Sequence, residues 1–236
     1  MSDQRVLGVS ELGASYGGNQ IVRRANLDVH RRQVVLLVGR NGAGKSTLLK
    51  AMVGLIRPDQ GQVILSGVDV AGRPPDEISR AGLGYVPQER AVFTGLTVRD
   101  NLRLGAYQLS RAIGRERMDE VLQLFVPLQA RQHQKAGSLS GGERRMLAVA
   151  IALIRQPAAV ALDEPSAGLS PAATQVVFEL IRRLRDELQL AVLLVEQNVQ
   201  EALDFSDEVV VMRHGETSPA RPASAIREAG AISDVL

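Results

Sequence analysis

The chain has 236 residues, 45% hydrophobic and 23% charged, which is ample apolar material for one globular core and too much for intrinsic disorder. It contains no cysteine, which excludes disulfides, thiolate catalysis, cysteine-bound zinc and iron–sulfur clusters. Basic and acidic residues nearly cancel (28 against 26, net +2) and aromatics make up 3%, so a cationic stripe and stacking platforms are lacking and no nucleic-acid partner is expected.

His30, His133 and His214 are widely spaced and form no ligand pattern. The longest apolar run, residues 146–154, falls far short of the ~20 residues a membrane span requires. The opening MSDQRVLGVSELG lacks the charged-then-apolar layout of a secretory signal, so a cytosolic chain is expected. There is no internal repeat and no low-complexity segment.

Residues 6–28 read as short strands and turns, with Gly17-Gly18-Asn19 as a turn between Ser15-Tyr16 and Ile21-Val22. Residues 34–38 (VVLLV) form an apolar run bounded by Gln33 and Gly39, as expected of a strand buried on both faces. A helix is expected over 46–53, stopping at Gly54, then strands over 62–66 and 82–86. From about residue 91 to 157 helical patterning dominates, with helices over 98–106, 117–125 and 141–154. Alternation of strand and helix then resumes. Strands are expected at 158–162, 191–195 and 209–212. Between the first two, Ser170-Pro171 opens a helix with Ser as cap and Pro in the first turn. Val176, Val177, Leu180, Ile181, Leu184 and Leu188 mark its apolar face. The pattern predicts an α/β fold with a mostly parallel core sheet, interrupted by a helical insertion of roughly sixty residues.

Gly39-Arg40-Asn41-Gly42-Ala43-Gly44-Lys45-Ser46 fits G-x-x-x-x-G-K-[ST] in the required setting, after a buried strand and before a helix. Glycines let the backbone curl so that N–H groups face phosphate oxygens, and the helix N-terminus adds partial positive charge. Lys45 supplies a full charge to the β- and γ-phosphates, and Ser46 offers a hydroxyl to Mg²⁺. The phosphate-contacting set is Gly39, Asn41, Gly42, Ala43, Gly44, Lys45, Ser46 and Thr47. The motif indicates nucleoside triphosphate binding without saying how the energy is used.

Val160-Ala161-Leu162-Asp163-Glu164 places two acids at the carboxyl end of a buried strand, where open α/β sheets bind ligands. Asp163 is placed to hold Mg²⁺ and Glu164 to polarise an attacking water. In Leu139-Ser140-Gly141-Gly142-Glu143, Ser140 and Glu143 form a capping box. The box leaves two consecutive glycines in a first helical turn unexplained, each weakening the helix. Close approach of a phosphate to the helix N-terminus is the expected reason.

These segments, with Gln88 in Tyr85-Val86-Pro87-Gln88 between them, resemble an ABC-type ATPase, the nucleotide-binding subunit of ABC transporters. The resemblance covers nearly the whole chain. It implies a P-loop NTPase (RecA-like) core with an N-terminal antiparallel β subdomain and an inserted α-helical subdomain. The whole chain is then one nucleotide-binding domain, with its core at about 1–90 and 156–236 and its helical part at about 91–155. It implies ATP and Mg²⁺ as ligands, with Ser46, Gln88 and Asp163 at the metal. Tyr16 resembles the aromatic that stacks on adenine, and Gln88 the glutamine that touches Mg²⁺ or the water and senses the membrane partner. Ser140, Gly141 and Gly142 resemble the residues that meet the γ-phosphate bound by the opposite subunit.

Arg144-Arg145-Met146-Leu147-Ala148, Asp163 through Pro171, and Leu194-Val195-Glu196-Gln197-Asn198 narrow the similarity. They match the LivF-type ATPases of branched-chain amino acid importers, with urea and amide importers close. Tyr85-Val86-Pro87 and Leu96-Thr97-Val98-Arg99-Asp100-Asn101-Leu102 fit the same subgroup. That resemblance implies a second ATPase subunit (a homodimer or a LivG-like partner), transmembrane permease subunits docking near Gln88 and Phe93 to Asn101, and a solute-binding protein. It places the chain on the inner face of the cell membrane. Two positions depart from most of the family: Gln197 stands where a switch histidine is usual, and Ser170 where an aspartate is common. Glutamine can hydrogen-bond a γ-phosphate but cannot carry a proton's charge. The tail, residues 216–236, matches only loosely.

Other uses of a phosphate loop fit less well. An ABC exporter ATPase differs little at this level. Non-transport ABC ATPases of DNA repair carry a long coiled coil or zinc-binding cysteines, and ribosomal ones carry two cassettes. None of the three lysines follows an asparagine, against the guanine-recognition stretch of a GTPase. A small-molecule kinase leaves Ser140–Gly142 unexplained.

Overall fold

The computed structural model describes residues 4–228; residues 1–3 and residues 229–236, the end of the loosely matching tail, lie outside the described residues. The chain opens with a long hairpin, β1 (Arg5–Tyr16) and β2 (Asn19–His30), with Tyr16 opposite Asn19 across a Gly17-Gly18 loop. The expectation of short strands is corrected here. The register shifts between Val9 and Leu12, where Glu11 takes a φ of 49°, and this bulge breaks the apolar alternation without ending the strand.

β3 (Val34–Val38) is buried at all five positions, as its unbroken apolar run predicts, and α1 (Lys45–Met52) follows the phosphate loop. Next come β4 (Gln60–Leu65), β5 (Val68–Asp69), α2 (Pro75–Ala81) and β6 (Leu83–Val86). The segment between β6 and β7 is helical: α3 (Val98–Gly105), α4 (Arg111–Leu124), α5 (Val126–Gln129), a 3₁₀ turn at Ala136–Ser138 and α6 (Gly141–Leu153). Helix α4 starts six residues before its expected position at 117, because the Ser110 hydroxyl caps it by accepting from the Ile113 N–H. Then follow β7 (Ala159–Asp163), α7 (Pro171–Asp186), β8 (Ala191–Val195), α8 (Val199–Leu203), β9 (Glu208–Arg213), β10 (Glu216–Thr217), β11 (Arg221–Pro222) and α9 (Ala223–Glu228). Ser170 caps α7 as expected. Thr174, Val177, Phe178, Ile181 and Leu184 are buried on it, whereas Val176 and Leu188 of the expected apolar face are exposed.

The described strands form one sheet in the order β5-β4-β1-β2-β10-β9-β3-β8-β7-β6, with β11 also paired to β9. From β9 to β6 every pairing is parallel, while β1, β2, β4 and β5 form an antiparallel limb.

Side chains alternate across the parallel strands and so divide the interior into two cores. Val34, Leu36, Val38, Val160, Leu162, Val192 and Leu194 face one way and meet α3 to α9. Val35, Leu37, Ala159, Ala161, Leu193 and Val195 face the other way and meet α1, α2 and the antiparallel limb. Leu48, Leu49 and Met52 anchor α1 in the second core, while Leu147, Val149 and Leu153 anchor α6 in the first. The phosphate-loop helix and the Ser140 helix therefore pack on opposite faces of one sheet. The helical insertion has no core of its own, since Val98, Leu102, Val121 and Leu122 belong to the same cluster as the sheet. Among the described residues no helix is long and apolar enough to cross a membrane.

Candidate functional site

The parallel strands β3, β7 and β8 lie side by side, and their carboxyl ends bring together segments remote in sequence. At the end of β3 the chain enters the phosphate loop. A Cβ on Gly39 would lie 2.2 Å from the Met212 carbonyl oxygen, so any side chain there would collide with β9 backbone. Gly44 is the N-cap of α1 and no side chain caps this helix, so its first N–H groups keep free donor capacity. The Gly215 N–H braces the loop by donating to the Ala43 carbonyl (3.0 Å). Lys45, only 6% exposed, donates through Nζ to the carbonyls of Gly39 (2.7 Å) and Arg40 (3.4 Å). Burial pulls its pKa down, and the Glu164 and Asp163 charges work the other way. Asn41 and Gly42 lie exposed on the loop, and Ser46 and Thr47 are half-buried at the start of α1.

At the end of β7, the Asp163 Oδ1 accepts from Ser46 Oγ at 3.4 Å. Burial pushes the Asp163 pKa up, opposed by the Ser46 hydroxyl. Tyr85, on the neighbouring β6, is also pushed up by burial and by the nearby Asp163 charge. These are hard oxygen donors, the kind Mg²⁺ takes, and two protein ligands suffice for an ion that also uses phosphate oxygens and water. Among the described residues no cluster of three or more acidic, His or Cys side chains is built to hold a metal by itself. Ser46 and Asp163 thus fit a cation that arrives with a nucleotide.

Glu164 has a φ of 47°, in the left-handed region that costs a non-glycine residue roughly 1–2 kcal/mol. Its N–H donates to the Val195 carbonyl (2.9 Å), which holds the turn. Both carboxylate oxygens are engaged: Gln88 Nε2 donates to Oε2 at 2.6 Å and Gln197 Nε2 donates to Oε1 at 2.7 Å. The three sequence-predicted residues Gln88, Glu164 and Gln197, just beyond the ends of β6, β7 and β8, therefore meet in one cleft of about 410 Å³. A larger concavity of about 940 Å³ along α4, among Arg111, Arg115, Glu116 and Asp119, gathers charges from a single helix and no convergent chemistry.

Two residues to which the sequence assigned no role brace this cleft. Glu196 is only 2% exposed and accepts from the Ser166 N–H (2.8 Å) and the Gln197 N–H (3.2 Å), tying the loop after Glu164 to the end of β8. Burial raises its pKa. Arg145 of α6 donates to the carbonyls of Pro87 and Gln88. A charged residue next to each motif is the only sequence signal for either, since the partners lie 30 and 57 positions away.

Ser140, Gly141 and Gly142 do not line this cleft, although Gly141 lines an adjoining one with Gln88. The capping box is present: Ser140 Oγ accepts from the Glu143 N–H (3.2 Å) and Glu143 Oε2 accepts from the Ser140 N–H (2.8 Å). Arg131 donates to Glu143 Oε1 (2.7 Å) and, foremost among several hydrogen bonds, holds the Glu143 pKa low. The glycine pair has a packing reason beyond the one read from sequence. A Cβ on Gly141 would lie 3.0 Å from Leu169 Cδ2, and one on Gly142 3.3 Å from Ala173 Cβ. Tyr16 stands apart at the hairpin tip, 61% exposed, with Lys50 Nζ of α1 5.7 Å from its ring centroid.

The family model described as "ABC transporter" matches residues 22–167. The chain is 43% identical over 205 residues to the probable branched-chain amino acid transport ATP-binding protein LivF of Archaeoglobus fulgidus, covering 87% of each chain. It is 39% identical over 210 residues to the high-affinity branched-chain amino acid transport ATP-binding protein BraG of Pseudomonas aeruginosa, covering 89% of this chain and 90% of that one. The fold matches a crystal structure of a nucleotide-free ATP-binding cassette from an ABC transporter with a TM-score of 0.88, at 23% identity and over 98% and 97% of the two chains. A phosphate loop, an acidic pair and an engaged carboxylate on one parallel sheet, together with these likenesses, place the chain in the ABC transporter family, as its ATP-hydrolysing subunit.

Proposed function

We propose that the chain works as one of a facing pair of cassettes that power an importer of branched-chain amino acids or a related small solute. The observation that carries the pairing is the packing of α1 and α6 on opposite faces of one sheet. Ser140 and the phosphate loop of one chain then serve different nucleotides. ATP joins the pair, each site combining the phosphate loop of one chain with Ser140, Gly141 and Gly142 of the other, and hydrolysis separates them. The partner is a second copy or a related ATPase subunit.

In this reading the chain is a single nucleotide-binding domain with its core at about 1–90 and 156–236 and its helical part at about 91–155. Gly39, Asn41, Gly42, Ala43, Gly44, Lys45, Ser46 and Thr47 bind the phosphates, and Lys45 moves its ammonium from loop carbonyls to phosphate oxygens. Ser46, Asp163 and Gln88 hold Mg²⁺, which neutralises developing phosphate charge when bound. Glu164 takes the proton of the attacking water, and Gln88 and Gln197 orient its carboxylate. Gln197 does so as a neutral donor, without the titration a histidine would bring. Tyr16, exposed beside α1, stacks on adenine.

The importer assignment draws on the likeness to LivF and BraG. Permease subunits dock near Gln88 and the exposed Phe93, which places the cassette on the cytoplasmic face of the membrane, and a solute-binding protein completes the system. Glu164→Gln tests the core of this reading. Turnover should fall roughly a thousandfold while ATP affinity is kept, and an ATP-bound dimer should accumulate on gel filtration. Parent-like turnover in that variant would remove Glu164 from the base role. Uptake of labelled leucine by vesicles carrying the permease and this subunit, with the solute-binding protein supplied, tests the solute, and failure of leucine, isoleucine and valine alike to be taken up would overturn the branched-chain assignment.

A further inference from the structure

We propose that Arg145 is a positioning residue that couples helix α6 to the Gln88 loop, so that engagement of Ser140 by one nucleotide sets Gln88 at the other. The inference rests on the facing-pair reading. Arg145 Nη1 donates to the Pro87 carbonyl (3.1 Å) and Nη2 to the Gln88 carbonyl (3.2 Å). A planar guanidinium spanning two successive carbonyls fixes the orientation of that backbone as well as its distance. Immediately beyond, Gln88 Nε2 rests on Glu164.

Ser140 and Arg145 sit at the N-cap and in the second turn of one 13-residue helix, about 7 Å apart along its axis. A helix moves as a rod over such a length. A shift of the Ser140 end toward a partner's phosphate therefore carries the guanidinium with it, and the guanidinium carries residues 87 and 88. Arg145 is partly buried, which disfavours its charge, and Glu196 and Asp163 offset this. An apolar side chain of the same volume would leave both carbonyls without this donor. The Arg144 guanidinium next to it, by contrast, donates to the Leu139 carbonyl within its own segment.

The test compares Arg145→Gln and Arg145→Lys in the full chain by steady-state ATP hydrolysis and thermal unfolding. Arg145→Gln should lower kcat about tenfold, leave the ATP KM within about twofold and reduce the Hill coefficient. Lysine, with a single ammonium for two carbonyls, should recover part of kcat. If Arg145→Gln does not fold, Arg145→Lys must itself show the loss in kcat and Hill coefficient at unchanged KM. Parent kcat and Hill coefficient in the folded variants would overturn the proposal, as would a loss matched by the unfolded fraction alone. In the Glu164→Gln background, Arg145→Gln should still give the ATP-bound dimer. Loss of the dimer there would also overturn it. If Glu164→Gln alone stays monomeric with ATP, the facing-pair reading has failed, and the coupling falls with it for that separate reason.

Discussion

Two helix N-termini in this molecule are built to different ends. Helix α1 begins at Gly44 with no side-chain cap, and the nearest strong donor, Lys45, rests on the loop's own carbonyls. Helix α6 begins at Ser140 with a complete capping box, and its Glu143 is further held by Arg131. The first end leaves its orphan N–H groups open to an anion. In the second, the box engages the Ser140 and Glu143 N–H groups but not those of Gly141 and Gly142, so a phosphate that meets this end does so beside an existing cap. In the facing-pair proposal, the first segment would hold the chain's own nucleotide and the second would meet the phosphate that a partner presents.

The largest expected effect probes the open end. Lys45→Ala should weaken ATP binding about a hundredfold by calorimetry, with little loss of stability, because the ammonium it removes is a partly desolvated charge. Retained affinity would mean that the uncapped helix end suffices for binding. Ser140→Ala probes the closed end. It should cost about 1 kcal/mol of stability through the lost cap, read by urea unfolding, and lower ATP turnover by more than that loss explains. If turnover and stability fall together, Ser140 is a cap and nothing more.

The smallest effect concerns pH. Hydrogen bonding, first from Arg131, depresses the Glu143 pKa in the folded chain. Its contribution is therefore present above the unfolded value of a glutamate and is lost as pH falls through the lower, folded value. Acid should loosen α6 at its start through this group, and Glu143→Gln should flatten that part of the pH–stability curve. An unchanged curve in the variant would separate the box from the acid response.

The parts of the fold legible in sequence are those with local causes. The unbroken apolar runs of β3, β7 and β8 announced buried parallel strands, and Ser170-Pro171 announced the start of α7. The start of α4 was hidden because Gly114 sits inside it, packed beside Ala106, where a glycine ordinarily signals a break. The bulge at Glu11 disguised two long strands as several short ones. In the site, the phosphate loop and the acidic pair are contiguous and could be read directly. The engagement of Glu164 by Gln88 and Gln197, the Glu196 tie and the Arg145 bridge are contacts between distant segments. No local pattern encodes them, because sheet order alone decides which loops meet.

A crosslinking measurement tests the pairing most directly, and the cysteine-free chain makes it clean. Asn41 and Ser138 are both exposed, one on the phosphate loop and one just before Ser140. Asn41→Cys and Ser138→Cys, made as separate proteins in the Glu164→Gln background and mixed, should be joined by a short bis-maleimide into a mixed dimer when ATP is present and not without it. A doubly substituted single chain that links these two cysteines internally, with no mixed dimer at any ATP concentration, would contradict the account.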